Sequence, residues 1–144
     1  MKINWESITD FCDIKYERGL KDAKGITKIT INRPEVRNAF RPKTVFELKE
    51  AFKLAREDQK VGTIILTGEG KEGFCSGGDV RSMDERGQSN VLERRPMGVV
   101  SQSGRRILHN MMWVEQPIVC ALNGVAAGLG ATIALFCDII YASD

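Results

Sequence analysis

Apolar residues recur along this chain at two spacings, and each spacing marks a type of element. Residues 12–18 (CDIKYER) alternate in part and read as a strand. A turn follows over Gly19–Gly25, and Ile26, Ile29 and Ile31 then mark a second strand, ITKITIN, so the two are expected to pair as a hairpin. Asn32-Arg33-Pro34 ends that strand, because proline removes a ladder donor. Over residues 43–58, Val45, Leu48, Phe52 and Ala55 recur at helical spacing with charges between them. Gly62 precedes TIILT, a short β-branched run of the kind buried on both sides of a sheet. GEGKEG reads as a glycine-rich loop, with FCSGGDV directly after it. Residues 84–98 are polar, carry Gly and Pro, and read as a surface loop or a short broken helix. Val99, Ile107, Leu108, Met111 and Met112 set a helix over 99–114 that Gln116-Pro117 breaks. IVCALN is another buried strand. Gly124, Gly128 and Gly130 surround a turn into a helix over 129–137, and DIIYAS reads as a last strand.

The order is strand, strand, helix, repeated: 12–32 with 43–58, 62–67 with 99–114, and 117–122 with 129–137. This is an α/β pattern of repeated units. It defines one domain over 12–144, with residues 1–11 as an N-terminal extension. Composition adds mainly exclusions. The 42% hydrophobic and 28% charged residues are ordinary for a globular chain. A net charge of +2 is too small to argue for nucleic acid. No apolar run approaches the roughly 18 residues of a membrane span, and MKINWESITDF lacks the apolar core of a secretory signal. Cys12, Cys75, Cys120 and Cys137 are scattered, with no CxxC pair, which suits reduced thiols in a cytoplasmic protein. Cys120 and Cys137 lie in apolar runs and are expected in the core.

Two segments carry candidate chemistry, Phe74-Cys-Ser-Gly-Gly-Asp79 and Asn123-Gly-Val-Ala-Ala-Gly-Leu-Gly130. Each follows a buried strand, and each can present main-chain N–H groups at a helix start, where donors lack internal partners. Glycine there lets a ligand approach the backbone. Two such amides aimed at one point would stabilise an oxygen that gains negative charge. Tight turns made only for packing would carry the same glycines.

FCSGGDV, then P-I-V-x-A-L-N-G-x-A-x-G-x-G-A, then CDI-I-Y-A, resembles the crotonase (enoyl-CoA hydratase/isomerase) superfamily, from about residue 12 to Asp144. The resemblance implies a spiral of repeated β-β-α units whose C-terminal part is absent, since full members are much longer. It implies trimers or dimers of trimers, an acyl-CoA thioester as partner, and no separate cofactor or metal, coenzyme A being part of the substrate. It places the two oxyanion amides on Gly78 and Leu129. It also lays the loop Arg33-Pro-Glu-Val-Arg-Asn-Ala39 along the coenzyme. There Val36 and Ala39 would make main-chain contacts, Arg37 would lie near the phosphates, and Ser76, Gly77, Asp79 and Val80 would line the same groove. Without the resemblance, Arg37 reads as a solvated surface charge, the commoner fate of an arginine.

The pattern departs from the family at one position. Hydratases of the family carry a glutamate two residues after the last glycine of the second turn, where Thr132 stands here. A hydroxyl cannot replace a carboxylate base near neutral pH. The family's second carboxylate would fall beyond Asp144. The N-terminal half, INRPEVRNAFRPKTVFEL with VGTIILTGEG, is most similar to the 1,4-dihydroxy-2-naphthoyl-CoA synthases. That subfamily also lacks the glutamate and closes a ring by carbon–carbon bond formation. Val80, Arg81 and the loop MDERGQSNVLERRP do not match it, and AAGLGATIALFCDI resembles the general hydratase/isomerase class, which is the reading adopted. A truncated homologue that binds CoA thioesters without turnover is the further alternative.

Of the remaining polar residues, His109 is the single histidine and reads as structural on an amphipathic helix. Asp79 after its glycine pair suits a helix cap better than a general base. Asp138 is expected to be hydrogen-bonded. Asp84, Glu85 and Glu93 read as solvated charges, and Met83, Met97 and Met111 as packing residues.

Overall fold

The computed structural model describes residues 3–79 and 99–143, with the side chains of 99–103 left aside. The alternating run becomes strand β2 (Ile14–Gly19), which pairs antiparallel with β3 (Ile26–Ile31), Ile14 opposite Ile31 and Tyr16 opposite Ile29. All four side chains are buried. A slip of one residue would turn them to solvent, so burial sets the register of the expected hairpin. The segment before residue 12 is more than an extension: Trp5–Ser7 forms β1 and adds an antiparallel edge strand to β2.

Helix α1 (Pro42–Glu57) starts on a proline, whose missing N–H is no loss in the first turn. The Thr44 Oγ1 accepts the Arg41 N–H at 3.2 Å just before it. Leu48, Ala51, Phe52 and Ala55 recur at three and four residues and are fully buried. From β3 the sheet then grows in one direction through parallel strands β4 (Thr63–Gly68), β6 (Ile118–Leu122) and β8 (Ile139–Ala142), giving the order β1-β2-β3-β4-β6-β8. Two very short strands, β5 (Gly73–Cys75) and β7 (Val125–Ala126), pair in a separate parallel sheet, and Phe40 bridges Gly78 in the same parallel sense. Helices α2 (Val99–Met112) and α3 (Leu129–Leu135) follow β5 and β7.

The repeat is therefore a long strand in the main sheet, a short strand in the second sheet, then a helix. The second strand of the later two units leaves no mark in the sequence pattern, because residues 73–75 and 125–126 are too short for any periodicity to register. Ile64, Leu66, Ile118 and Cys120 are buried, but Ile65 and Val119 on the other face are only half-buried, so the two strands are not fully covered on both sides as their unbroken apolar runs suggested. DIIYAS differs: β8 is an edge strand paired only with β6, and all four of its residues are exposed. Met112 also differs. Ile107 and Met111 face the core, and one further residue turns Met112 about 100° round the helix into solvent. Cys120 and Cys137 are core residues, as expected.

A buried polar cluster ties the hairpin to α1 and to the loop between them. Asp13 accepts hydrogen bonds from Arg41 Nε at 2.7 Å, Arg41 Nη2 at 2.6 Å and Thr44 Oγ1 at 2.7 Å. Glu47 takes the Cys12 and Asp13 N–H groups on its two oxygens. Burial by itself would raise the Asp13 pKa. The hydrogen bonds from Arg41 and Thr44, with the charges of Arg41 and Arg33, outweigh it and hold the group below its ordinary 3.8. A carboxyl depressed in the folded state contributes stability that is complete above the unfolded pKa and disappears as pH falls through the folded one. Asp13→Asn is thus expected to weaken the fold at neutral pH and to flatten its acid limb. Chemical denaturation at a series of pH values from about 7 to 3 checks this. An Asp13→Asn variant as acid-sensitive as the parent would clear Asp13 of the role.

Candidate functional site

The first glycine turn is held from one side by the loop after β3. Ser76 N–H donates to the Arg37 carbonyl at 3.0 Å, Phe40 N–H to the Gly77 carbonyl at 2.7 Å, and Asp79 N–H to the Phe40 carbonyl at 2.8 Å. Gly78 lies between the last two bonds. In a parallel bridge successive amides point to opposite sides, so the Gly78 N–H is directed away from Phe40. Gly77 N–H meets the Cys75 Sγ at 3.4 Å. Among the described residues, then, Ser76, Gly77 and Asp79 spend their N–H groups on the protein and Gly78 does not.

The second turn has the same character. Ala127 N–H donates to the Cys75 carbonyl at 2.9 Å and Gly130 N–H to the Ala127 carbonyl at 3.0 Å. Leu129 opens α3, where an N–H has no partner within the helix, and it meets no other acceptor among the described residues. The two turns touch. A Cβ on Gly77 would lie 3.0 Å from the Ala127 carbonyl oxygen and 3.7 Å from Gly128 Cα. Gly77 and Gly128 have φ of +94° and +53°, a region that side chains disfavour. Each unspent amide belongs to the residue directly after one of these touching glycines.

Other expected site residues fall into two groups. Val36, Arg37 and Ser76 lie together at the surface side: Ser76 Oγ donates to the Val36 carbonyl at 3.3 Å, and the exposed Arg37 side chain has Glu72 at 3.8 Å. A groove of about 360 Å³ runs between Pro34–Asn38 and Glu69–Gly73. Its lining carries Arg37 and Lys71 but also Glu35, Glu69 and Glu72, so it is not a purely cationic phosphate site. Ala39 and Asp79 point inward. The Ala39 N–H donates to Val36 and its carbonyl accepts from Arg33 Nη1, which occupies both main-chain groups. Asp79 is buried, with Oδ2 2.9 Å from Arg33 Nη2. Val80, and with it Met83, Asp84, Glu85, Glu93, Met97 and any helix that Asp79 caps, lies outside the described residues.

Thr132 is exposed, and its hydroxyl donates back to the Gly128 carbonyl at 3.2 Å. Asp138 is hydrogen-bonded as expected, its Oδ2 accepting the Ile118 N–H at 2.7 Å. His109 sits on the exposed side of α2 and accepts from Trp113 Nε1 at 3.0 Å. Cys75 is buried, and burial is the main cause that pushes its pKa up to about 11 despite the Gly77 N–H, so it is a neutral thiol near pH 7.

One residue that organises this region was not singled out from the sequence. Asn38 is fully buried at φ +57°, and all its side-chain bonds are made: Oδ1 accepts the Arg33 N–H at 2.9 Å, and Nδ2 donates to the Glu69 and Gly73 carbonyls at 2.9 and 2.8 Å. Asn is one of the few side chains suited to this backbone region. The only local hint was an Asn in a turn, and two of its three partners, the Glu69 and Gly73 carbonyls, lie more than 30 residues away.

Residues 21–144 match the family model described as Enoyl-CoA hydratase/isomerase. Solved structures agree. The chain is similar to the Pseudomonas aeruginosa protein PA4980 with 26% identity and a TM-score of 0.79, covering 94% of this chain and 55% of that one. An enoyl-CoA hydratase/carnithine racemase from Magnetospirillum magneticum matches with 27% identity and a TM-score of 0.76, over 93% of this chain and 46% of that one. An enoyl-CoA hydratase from Bacillus anthracis matches with 27% identity and a TM-score of 0.72, over 91% and 47%. The chain thus spans about half the length of these relatives, and none of the three is named as a naphthoyl-CoA synthase. Among the described residues no helix is long and apolar enough to cross a membrane.

Proposed function

Because the chain belongs to the enoyl-CoA hydratase/isomerase family, we propose that it binds an acyl-CoA thioester and holds the thioester oxygen between the main-chain N–H groups of Gly78 and Leu129. The observation that supports this most is the pair of touching glycine turns, each followed by an amide that no acceptor among the described residues uses. Donors already in place cost nothing to reorganise as charge builds on the oxygen, and removing one of this kind typically costs roughly 3 kcal/mol of transition-state stabilisation. In this reading the two amides stabilise negative charge on the thioester oxygen, as an enolate in hydration or isomerisation and as a tetrahedral oxyanion that expels the CoA thiolate in hydrolysis. Coenzyme A needs no partner cofactor, because it is the handle of the substrate. Val36, Arg37, Ser76 and Gly77 line its path, with Val80 next along the chain. Ala39 and Asp79 hold that path from inside. Thr132 supplies no carboxylate, so any acid or base comes from another position, and we take the assembly to be a trimer or a dimer of trimers in the cytoplasm.

Calorimetric titration with a straight-chain enoyl-CoA, run beside a turnover assay, tests the reading. Heat of binding with hydration or isomerisation supports an active enzyme, and binding without turnover supports a thioester-binding homologue. An absence of binding to any acyl-CoA would remove the proposal. Gly78→Pro deletes one of the two donors. It is expected to lower turnover about 100-fold or more; unchanged activity would take Gly78 out of the mechanism.

A further inference from the structure

We propose that the buried ion pair between Arg33 and Asp79 is a positioning device for the Gly78 amide, and that Asp79 acts through it without touching substrate. The inference rests on the two-amide reading above and adds two residues to it.

Asp79 follows Gly78 directly and is buried. Arg33 spans two elements with one planar group: Nη2 donates to Asp79 Oδ2 at 2.9 Å, while Nη1 donates to the Ala39 carbonyl. Asp13 lies 3.9 Å from the same guanidinium and balances its charge. Both partners of the pair have side chains only about one-tenth exposed. The main chain repeats this tie one step away, since Phe40 bonds to Gly77 and to Asp79 on either side of Gly78. The Phe40 N–H holds the Gly77 carbonyl, which shares its peptide with the Gly78 N–H, and the ion pair adds a third point on the residue directly after Gly78. Guanidinium is suited to this because its fork reaches both acceptors at fixed geometry, which an ammonium cannot do. A misplacement of about 1 Å at such a donor is enough to cost 100-fold in rate.

The test reads the thioester oxygen directly. A straight-chain acyl-CoA carrying a ¹³C carbonyl is bound to the full chain, and the carbonyl band is followed by isotope-edited infrared spectroscopy. Donation by the two amides polarises the carbonyl and moves the parent's band to lower wavenumber than in water. The variants are Arg33→Met, Asp79→Leu and the double Arg33→Met/Asp79→Leu. The double variant leaves neither charge of the pair without its partner, and an apolar replacement of a buried ion pair usually keeps a protein folded. It therefore carries the test if either single variant unfolds. The expected result is that the double variant still binds acyl-CoA and unfolds cooperatively, while its band returns most of the way to the free position. A band displaced as far as the parent's overturns the positioning role and leaves the two-amide site intact. A bound parent whose own band does not move overturns the site itself, and the positioning role with it.

Discussion

Gly130→Ala is expected to be among the most damaging single-methyl additions available in this chain. The added Cβ would collide with the Cys75 carbonyl oxygen and lie 2.7 Å from Cys75 Cβ and 2.9 Å from its Sγ. All three approaches are closer than any real contact, and the nearest atom is main chain in β5, so no side-chain rotation relieves them. Either α3 or β5 must move. Overpacking of this kind typically costs ~3 kcal/mol, which corresponds to a fall of ~10 °C in Tm for a chain of this size. The change has a second consequence, because moving the start of α3 carries the Leu129 N–H with it. Gly62→Ala is the contrasting variant: its Cβ would meet only the Gly25 carbonyl oxygen at 3.5 Å, an ordinary contact. Thermal unfolding of the two side by side checks the prediction. A Gly130→Ala protein that melts with the parent would mean that the helix start and β5 are not in contact.

The second large effect is expected at Asn38. Truncation to Ala strands three main-chain groups at once, the Arg33 N–H and the Glu69 and Gly73 carbonyls. Each buried group left without a partner costs about 1–3 kcal/mol, so Asn38→Ala is expected to lose about 3 kcal/mol or more in a denaturant titration. Asn38→Asp separates the cause from simple loss of volume. The new carboxylate would face two carbonyl oxygens where an amide NH₂ now donates, so the folded protein would favour its protonated form and raise its pKa above the unfolded value. Such a group gains stability as pH falls through the folded pKa. Asn38→Asp should therefore recover part of its lost stability on mild acidification, while Asn38→Ala should not. Parallel pH curves for the two variants would contradict the assigned bonding.

These sites show why some of the fold was readable from residues in order and some was not. TIILT and IVCALN announced buried parallel strands, and Leu48, Phe52 and Ala55 announced the inner face of α1, because burial on a regular element leaves a regular trace. The glycine turns were legible too: Gly77 and Gly128 occupy backbone conformations that favour glycine whatever surrounds them. That Gly78 and Leu129 follow them needed only the order of residues. What each polar side chain does with its bonds left no such trace. Asp79 was expected to line the groove, but it is buried and its carboxylate is paired with Arg33, 46 residues earlier. Asn38 reads as one more turn residue until the chain folds back and brings it the carbonyls of residues 69 and 73. DIIYAS has the apolar content of an inner strand, yet β8 stands at the sheet edge because only β6 pairs with it. Periodicity and backbone preference act over a few residues and are written where they act. The choice of hydrogen-bond partner and the covering of a strand depend on which distant segments arrive beside it, and only the folded chain decides that.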